Sequence, residues 1–186
     1  MILGILASSI SGSKAVTNSY ESIATTTVGS GGTANITFSS IASTWTHLQI
    51  RAFSRNSYSG GSAGTDNLFI QFNTDTASNY SAHYLSGNGA SASAGAYNAD
   101  VVYCVTATGG TGSQPFSSQI IDILDYKDTN KYKTVRLLSG VDNNGSGTVG
   151  LWSGNWRSTS AITSIKIYSN YNWLQYSHFA LYGIKA

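Results

Sequence analysis

The chain has 186 residues, a formal net charge of +2 and 41% hydrophobic residues, enough apolar material for one packed domain and too much for a disordered chain. Only 10% of its residues are charged, against roughly 25% in an average soluble protein, and Ser, Thr, Asn, Gly and Tyr make up the polar balance. The ten Lys and Arg residues are scattered rather than clustered, and no run reaches the ~18 apolar residues of a membrane-spanning helix, so neither nucleic acid nor a membrane is an expected partner.

A surface poor in charge suits a protein packed among other chains, because burying Ser or Tyr costs far less than burying Lys or Glu. In chain order, residues 1–7 look like the core of a signal peptide but lack a preceding positive charge and a convincing cleavage site. Residues 1–18 are read instead as an N-terminal arm, in which Ile2, Leu3, Ile5 and Leu6 attach the chain to a neighbouring subunit. Residues 19–186 form the domain.

From residue 21 onward, apolar and polar residues alternate with period two in short runs bounded by Gly, Asn and Ser. Strands are predicted over 21–28 and 33–39, with residues 29–32 (Gly-Ser-Gly-Gly) between them as a hairpin signal. A longer strand covers 45–55, with Leu48, Ile50 and Ala52 inward and His47, Gln49 and Arg51 on a wet face. Further strands follow at 67–73 (Leu68, Ile70 and Phe72 inward) and 80–85. Residues 86–98, almost all Gly, Ala and Ser, offer little to bury and are read as a long surface loop. The remaining strands are expected at 100–107, 117–125, 132–141, 148–156, 161–169 and 175–184. No window carries a helical stripe. The expected fold is all-β, a single antiparallel β-sandwich of ten or eleven strands, jelly-roll-like. The single cysteine, Cys104, lies in an apolar run and is expected as a buried strand residue without an internal disulfide.

Little in the chain is arranged for catalysis. Gly60-Gly61-Ser62-Ala63-Gly64 spells a nucleophile elbow but is not followed by a helix. Gly145, Gly147 and Gly150 spell a dinucleotide fingerprint but lead into a predicted strand, where no helix N-terminus can hold a pyrophosphate. Residues 142–147 (Asp-Asn-Asn-Gly-Ser-Gly) place oxygen ligands as a calcium loop does, yet the twelfth position is Ser153, so a turn between strands is the better account. His47, His83 and His178 fall on three separate strands with no ligand spacing. Asp122 and Asp125 have opposite parity on one strand and cannot act there as a glycosidase pair. Neither a metal nor a cofactor is expected.

The aromatic excess is more informative, with four Trp and twelve Tyr. Trp152, Trp156, Tyr168, Tyr171, Trp173 and Tyr176 concentrate near the C-terminus and are the candidate contacts for a glycan or a protein partner. Core packing is the competing role for Trp152 and Trp156. Tyr171 and Trp173 fall in a predicted turn over 169–173.

The strands carry a recognisable pattern: Ser19 to Ala24, Ile36-Thr37-Phe38-Ser39-Ser40-Ile41, Thr46-His47-Leu48-Gln49-Ile50-Arg51, Asn67 to Asn73, Ile121 to Tyr126, Asp142 to Gly147 and Phe179 to Lys185. Over residues 19–185 the chain resembles small virion structural proteins of tailed bacteriophages, many of marine or freshwater phages. The resemblance implies a non-enzymatic protein located in the virion, whose partners are other virion proteins, capsid or tail subunits. It offers no catalytic motif to carry over, and residues 1–18 lie outside it. The first expectation is an external capsid decoration or cement protein, assembled as a homotrimer at local three-fold positions. The alternative is a tail-fibre or head-fibre module that binds host surface polysaccharide, and a glycan-degrading enzyme is a third, less favoured one.

Overall fold

The structure is a computed structural model that describes residues 19–59, 64–109 and 115–185. Among these residues every regular element is a strand: β1 (Tyr20–Thr27), β2 (Thr33–Phe38), β3 (His47–Asn56), β4 (Thr65–Phe72), β5 (Tyr80–Gly87), β6 (Ala92–Ala99), β7 (Val102–Thr108), β8 (Ser117–Leu124), β9 (Lys133–Asp142), β10 (Gly147–Trp156), β11 (Ile165–Trp173) and β12 (His178–Ile184). The expected all-β, sandwich-like fold is what the chain adopts. The proposed arm and the Gly60–Gly64 motif fall outside the described residues, apart from Gly64.

One layer, sheet A, runs β1-β12-β3-β8-β9-β10-β5-β6, antiparallel throughout. The other, sheet B, runs β2-β11-β4-β7. Strand β3 joins them at its far end, where Arg55 and Asn56 pair in parallel with Ala107 and Thr108 of β7 and Asn56 meets Trp173 of β11.

Between the layers lies the core the alternation foretold. Sheet B contributes Ile36, Phe38, Leu68, Ile70, Phe72, Val102, Cys104, Ile165 and Ile167; sheet A contributes Leu48, Ile50, Ile121, Ile123, Val135, Leu137, Phe179 and Leu181. The layers are packed tightly at Gly154 of β10, where an added Cβ would come within 2.6 Å of the Val102 side chain of β7. Cys104 is fully buried, and burial pushes its thiol up to about 12, so it is an inert core residue.

Three sequence expectations need correction. Strands β1 and β2 do not form a hairpin: β1 pairs with β12 in sheet A and β2 with β11 in sheet B. Residues 29–32 instead carry the chain from one layer to the other, because Ile23 and Ala24 on one strand and Ile36 and Phe38 on the other pack into the same core from opposite sides. Residues 86–98 are not a loop. Asn88 closes a short turn by accepting the amides of Ala90 and Ser91, and β6 then pairs with β5 from Gly87↔Ala92 to Tyr80↔Ala99. The backbone ladder and Tyr97, stacked on Tyr103 at 4.3 Å, hold a strand that its small side chains do not announce. Finally, the predicted turn at 169–173 is the second half of β11, which ends at Trp173.

Among the described residues, one edge of strand β7 pairs with a strand only at Ala107 and Thr108, and side chains from sheet A seal the rest of it. The amides of Tyr103, Val105 and Ala107 donate to the Tyr97 hydroxyl, Ser139 Oγ and Ser117 Oγ, and the Gln119 amide donates to the Val105 carbonyl. Ser54 and Thr106, both fully buried, complete this seam at 2.8 Å. A buried strand edge is thereby satisfied without a further strand.

Candidate docking face

The pleat that sends Ile121, Leu137 and Trp152 into the core sends their neighbours outward, and those neighbours are also apolar. Ile120 of β8 lies opposite Leu138 of β9, Leu138 opposite Leu151 of β10, and Leu151 opposite Leu85 of β5. Four aliphatic side chains thus stand in one cross-strand row on the outer face of sheet A, each between 40% and 59% exposed. Ala94 of β6 continues the row. Adjacent strands are about 4.8 Å apart, so Ile120 to Leu85 spans about 14 Å.

On one flank, Val149 and Phe53 widen the apolar band, with Phe53 stacked on Phe116 at 4.7 Å. A cleft of about 550 Å³ opens there between the β5–β6 and β9–β10 turns, lined by Asn88, Phe116, Asp142, Thr148 and Val149. On the other flank lies a polar cluster: Asp122 accepts from Arg136 at 2.7 Å and from Gln49 at 2.7 Å, Gln49 accepts from the Tyr20 hydroxyl, and Arg51 lies over the Tyr20 ring. Contiguous apolar surface with a polar border is what protein-binding faces present.

The six aromatics singled out from the sequence do not form one site. Trp152, Trp156 and Trp173 are buried in the core, so their rings offer no surface platform. Trp156 donates its indole N–H to Asp75 at 2.7 Å. The indole nitrogens of Trp152 and Trp173 are buried with no hydrogen-bond partner in the structure. Tyr168 is half-buried on the outer face of sheet B, beside Phe69 and under Lys166. Only Tyr171 (41% exposed, packed on Tyr58) and Tyr176 (66%) stand well into solvent.

The polar groups are occupied structurally. Asp125 pairs with Lys131 at 2.6 Å, away from the Arg136 and Gln49 that hold Asp122. His47 Nδ1 lies 2.9 Å from the Asp125 amide nitrogen and 3.4 Å from the Asp125 carboxylate. His178 bonds Thr27, and His83 is exposed on β5. The turn at 142–147 is the β9–β10 connection expected from Asn-Asn-Gly, with Asn144 and Gly145 at φ 60 and 95° and Asp142 accepting the Gly145 amide. Asp75 is pushed up by burial, but hydrogen bonds from Asn79, the Trp156 indole and the Ala77 amide outweigh this and hold its carboxyl below the ordinary value. Lys133, fully buried, donates to the carbonyls of Asp128, Lys131 and Thr159, and burial lowers its pKa.

The row on sheet A is absent from the sequence-based candidates. Its signal was legible in adjacent apolar pairs, Ile120-Ile121, Leu137-Leu138, Leu151-Trp152 and Tyr84-Leu85, which on strands must place one apolar side chain on each face. Compared with protein-family models and with curated proteins, the chain matches none.

Proposed function

We propose that the chain is a structural, non-catalytic component of a bacteriophage virion, an external decoration or cement protein that works by docking on other virion subunits. One observation carries this reading: the exposed aliphatic row on the outer face of sheet A, in a chain with few charges. Covering such a row removes apolar area from water, whereas leaving it bare invites nonspecific association. Asp122 and Asp125 are engaged by Arg136 and Lys131, which suits scaffolding better than proton transfer.

Phage particles lacking the protein test the proposal. They are expected to lose stability to heat and low osmotic strength while still adsorbing to cells. Intact particles that fail to adsorb would favour the second reading, a receptor-binding module of a tail or head fibre, which the exposed Tyr171 and Tyr176 support.

A further inference from the structure

The described chain starts beside the docking face. Tyr20 begins β1 on the outer side of sheet A, stacked on Tyr182 at 4.7 Å and bonded to Gln49, next to the polar cluster that borders the aliphatic row. Eighteen residues precede Ser19, among them Ile2, Leu3, Ile5 and Leu6. Six extended residues span about 20 Å, enough to cover the roughly 14 Å from Ile120 to Leu85. Residues 7–19 supply about 40 Å of reach. An apolar segment of matching length is thus joined, through a linker long enough to reach, to a domain whose apolar row none of one copy's described residues covers.

We propose that residues 1–7 of one copy lie across the Ile120–Leu138–Leu151–Leu85 row of a neighbouring copy. The proposal rests on the docking role above and identifies what covers the face in solution. Within one copy, the direct path from Tyr20 to the row crosses the Gln49–Asp122–Arg136 cluster, whose side chains already bond one another. A neighbour can bring its arm in over β6, where Ala92, Ala94 and Ala96 keep the approach low and uncharged. Such an arm-to-face contact is heterologous and builds either a closed ring or an open filament; the trimer expected from the sequence is the closed form.

Two full-length variants test this by complementation, with mass measured by light scattering. Leu3→Asp/Leu6→Asp spoils the arm and leaves the row intact; Leu138→Lys/Leu151→Thr spoils the row and leaves the arm intact. Leu138 and Leu151 lie outside the core, and Thr keeps strand propensity. Wild type is expected at about three times the chain mass, each variant alone at the single-copy mass, and their mixture as a one-to-one complex that cannot grow. A mixture that stays at the single-copy mass would overturn the proposal, and a wild type at that mass too would favour docking within one chain. An arm variant that keeps the wild-type mass would overturn it in favour of two sheet faces packing directly. A row variant that keeps that mass, or a monomeric wild type, would also overturn it. Particle stability lost on removal of a protein that proves monomeric would defeat this inference alone; an oligomer whose removal leaves particles unchanged would defeat the virion role instead.

Discussion

Trp152 and Trp156 sit four residues apart on β10, both pointing into the core, yet their indole nitrogens have different surroundings. Trp156 gives its N–H to Asp75, while the Trp152 indole nitrogen has no hydrogen-bond partner among the described residues. Replacing either by Phe removes similar volume, but only Trp156→Phe deprives a carboxylate of a donor. Chemical denaturation is therefore expected to show Trp156→Phe costing about 1.5 kcal/mol more than Trp152→Phe. Equal costs would mean that the Asp75 contact contributes nothing. Asp75 also sets a pH dependence, shared with Glu21 (hydrogen-bonded by Lys185 and Trp45) and Asp128 (by the Asn130 amide), all held below the ordinary carboxyl value. Carboxyls of lowered pKa bind protons more tightly in the unfolded chain, so their contribution is fully present above the unfolded value, about 4, and is lost as pH falls through the lowered folded values. The unfolding midpoint should hold steady from neutrality to about pH 5 and fall below about pH 4. Asp75→Asn should flatten part of that fall.

Strands β3 and β4 were legible because each alternates large apolar residues with polar ones, and the inward sets nominated there, Leu48, Ile50 and Ala52 and then Leu68, Ile70 and Phe72, are buried. Strand β6 was not, since Ala, Gly and Ser carry no hydrophobic signal; its ladder to β5 is a backbone property that side-chain periodicity cannot report. The end of β11 was misread because Asn170 and Asn172 favour turns, while the burial of Trp173 against Phe179 and its pairing with Thr33 hold the strand together. The seam along β7 left a faint trace: Ser117, Gln119 and Ser139 occupy inward positions where the pattern calls for apolar residues. Those positions predict a sharp contrast on one strand. Ser117→Ala would leave the buried Ala107 amide without its acceptor and cost about 1–3 kcal/mol. Ser118→Ala, one residue along on the outer face, should change stability by less than about 0.5 kcal/mol. Urea unfolding of the two variants under the same conditions measures the difference.

At the scale of the whole molecule, the two outer faces of the sandwich differ in kind. Sheet B presents polar and aromatic side chains, Asn35, Lys166, Tyr168 and Phe69, while sheet A presents aliphatic ones in register. A protein that used charge to find its place would concentrate Lys and Arg, or Asp and Glu, on one face; here the charges on the docking side, Arg51, Asp122 and Arg136, are one cluster at the border, two of them already paired. Salt discriminates between these modes of assembly. Exposed charges attract over about 10 Å at 0.1 M ionic strength and about 3 Å at 1 M, so charge-driven association weakens steeply over that range. Apolar association does not, and excluded salts such as sulfate strengthen it. The proposed oligomer is therefore expected to keep its mass from about 0.05 to about 1 M sodium chloride, and to persist to greater dilution in sodium sulfate. Dissociation by chloride would place the contact on the Arg51–Asp122–Arg136 border instead of the leucine row, and Arg136→Gln would then be as disruptive as the paired change at Leu138 and Leu151.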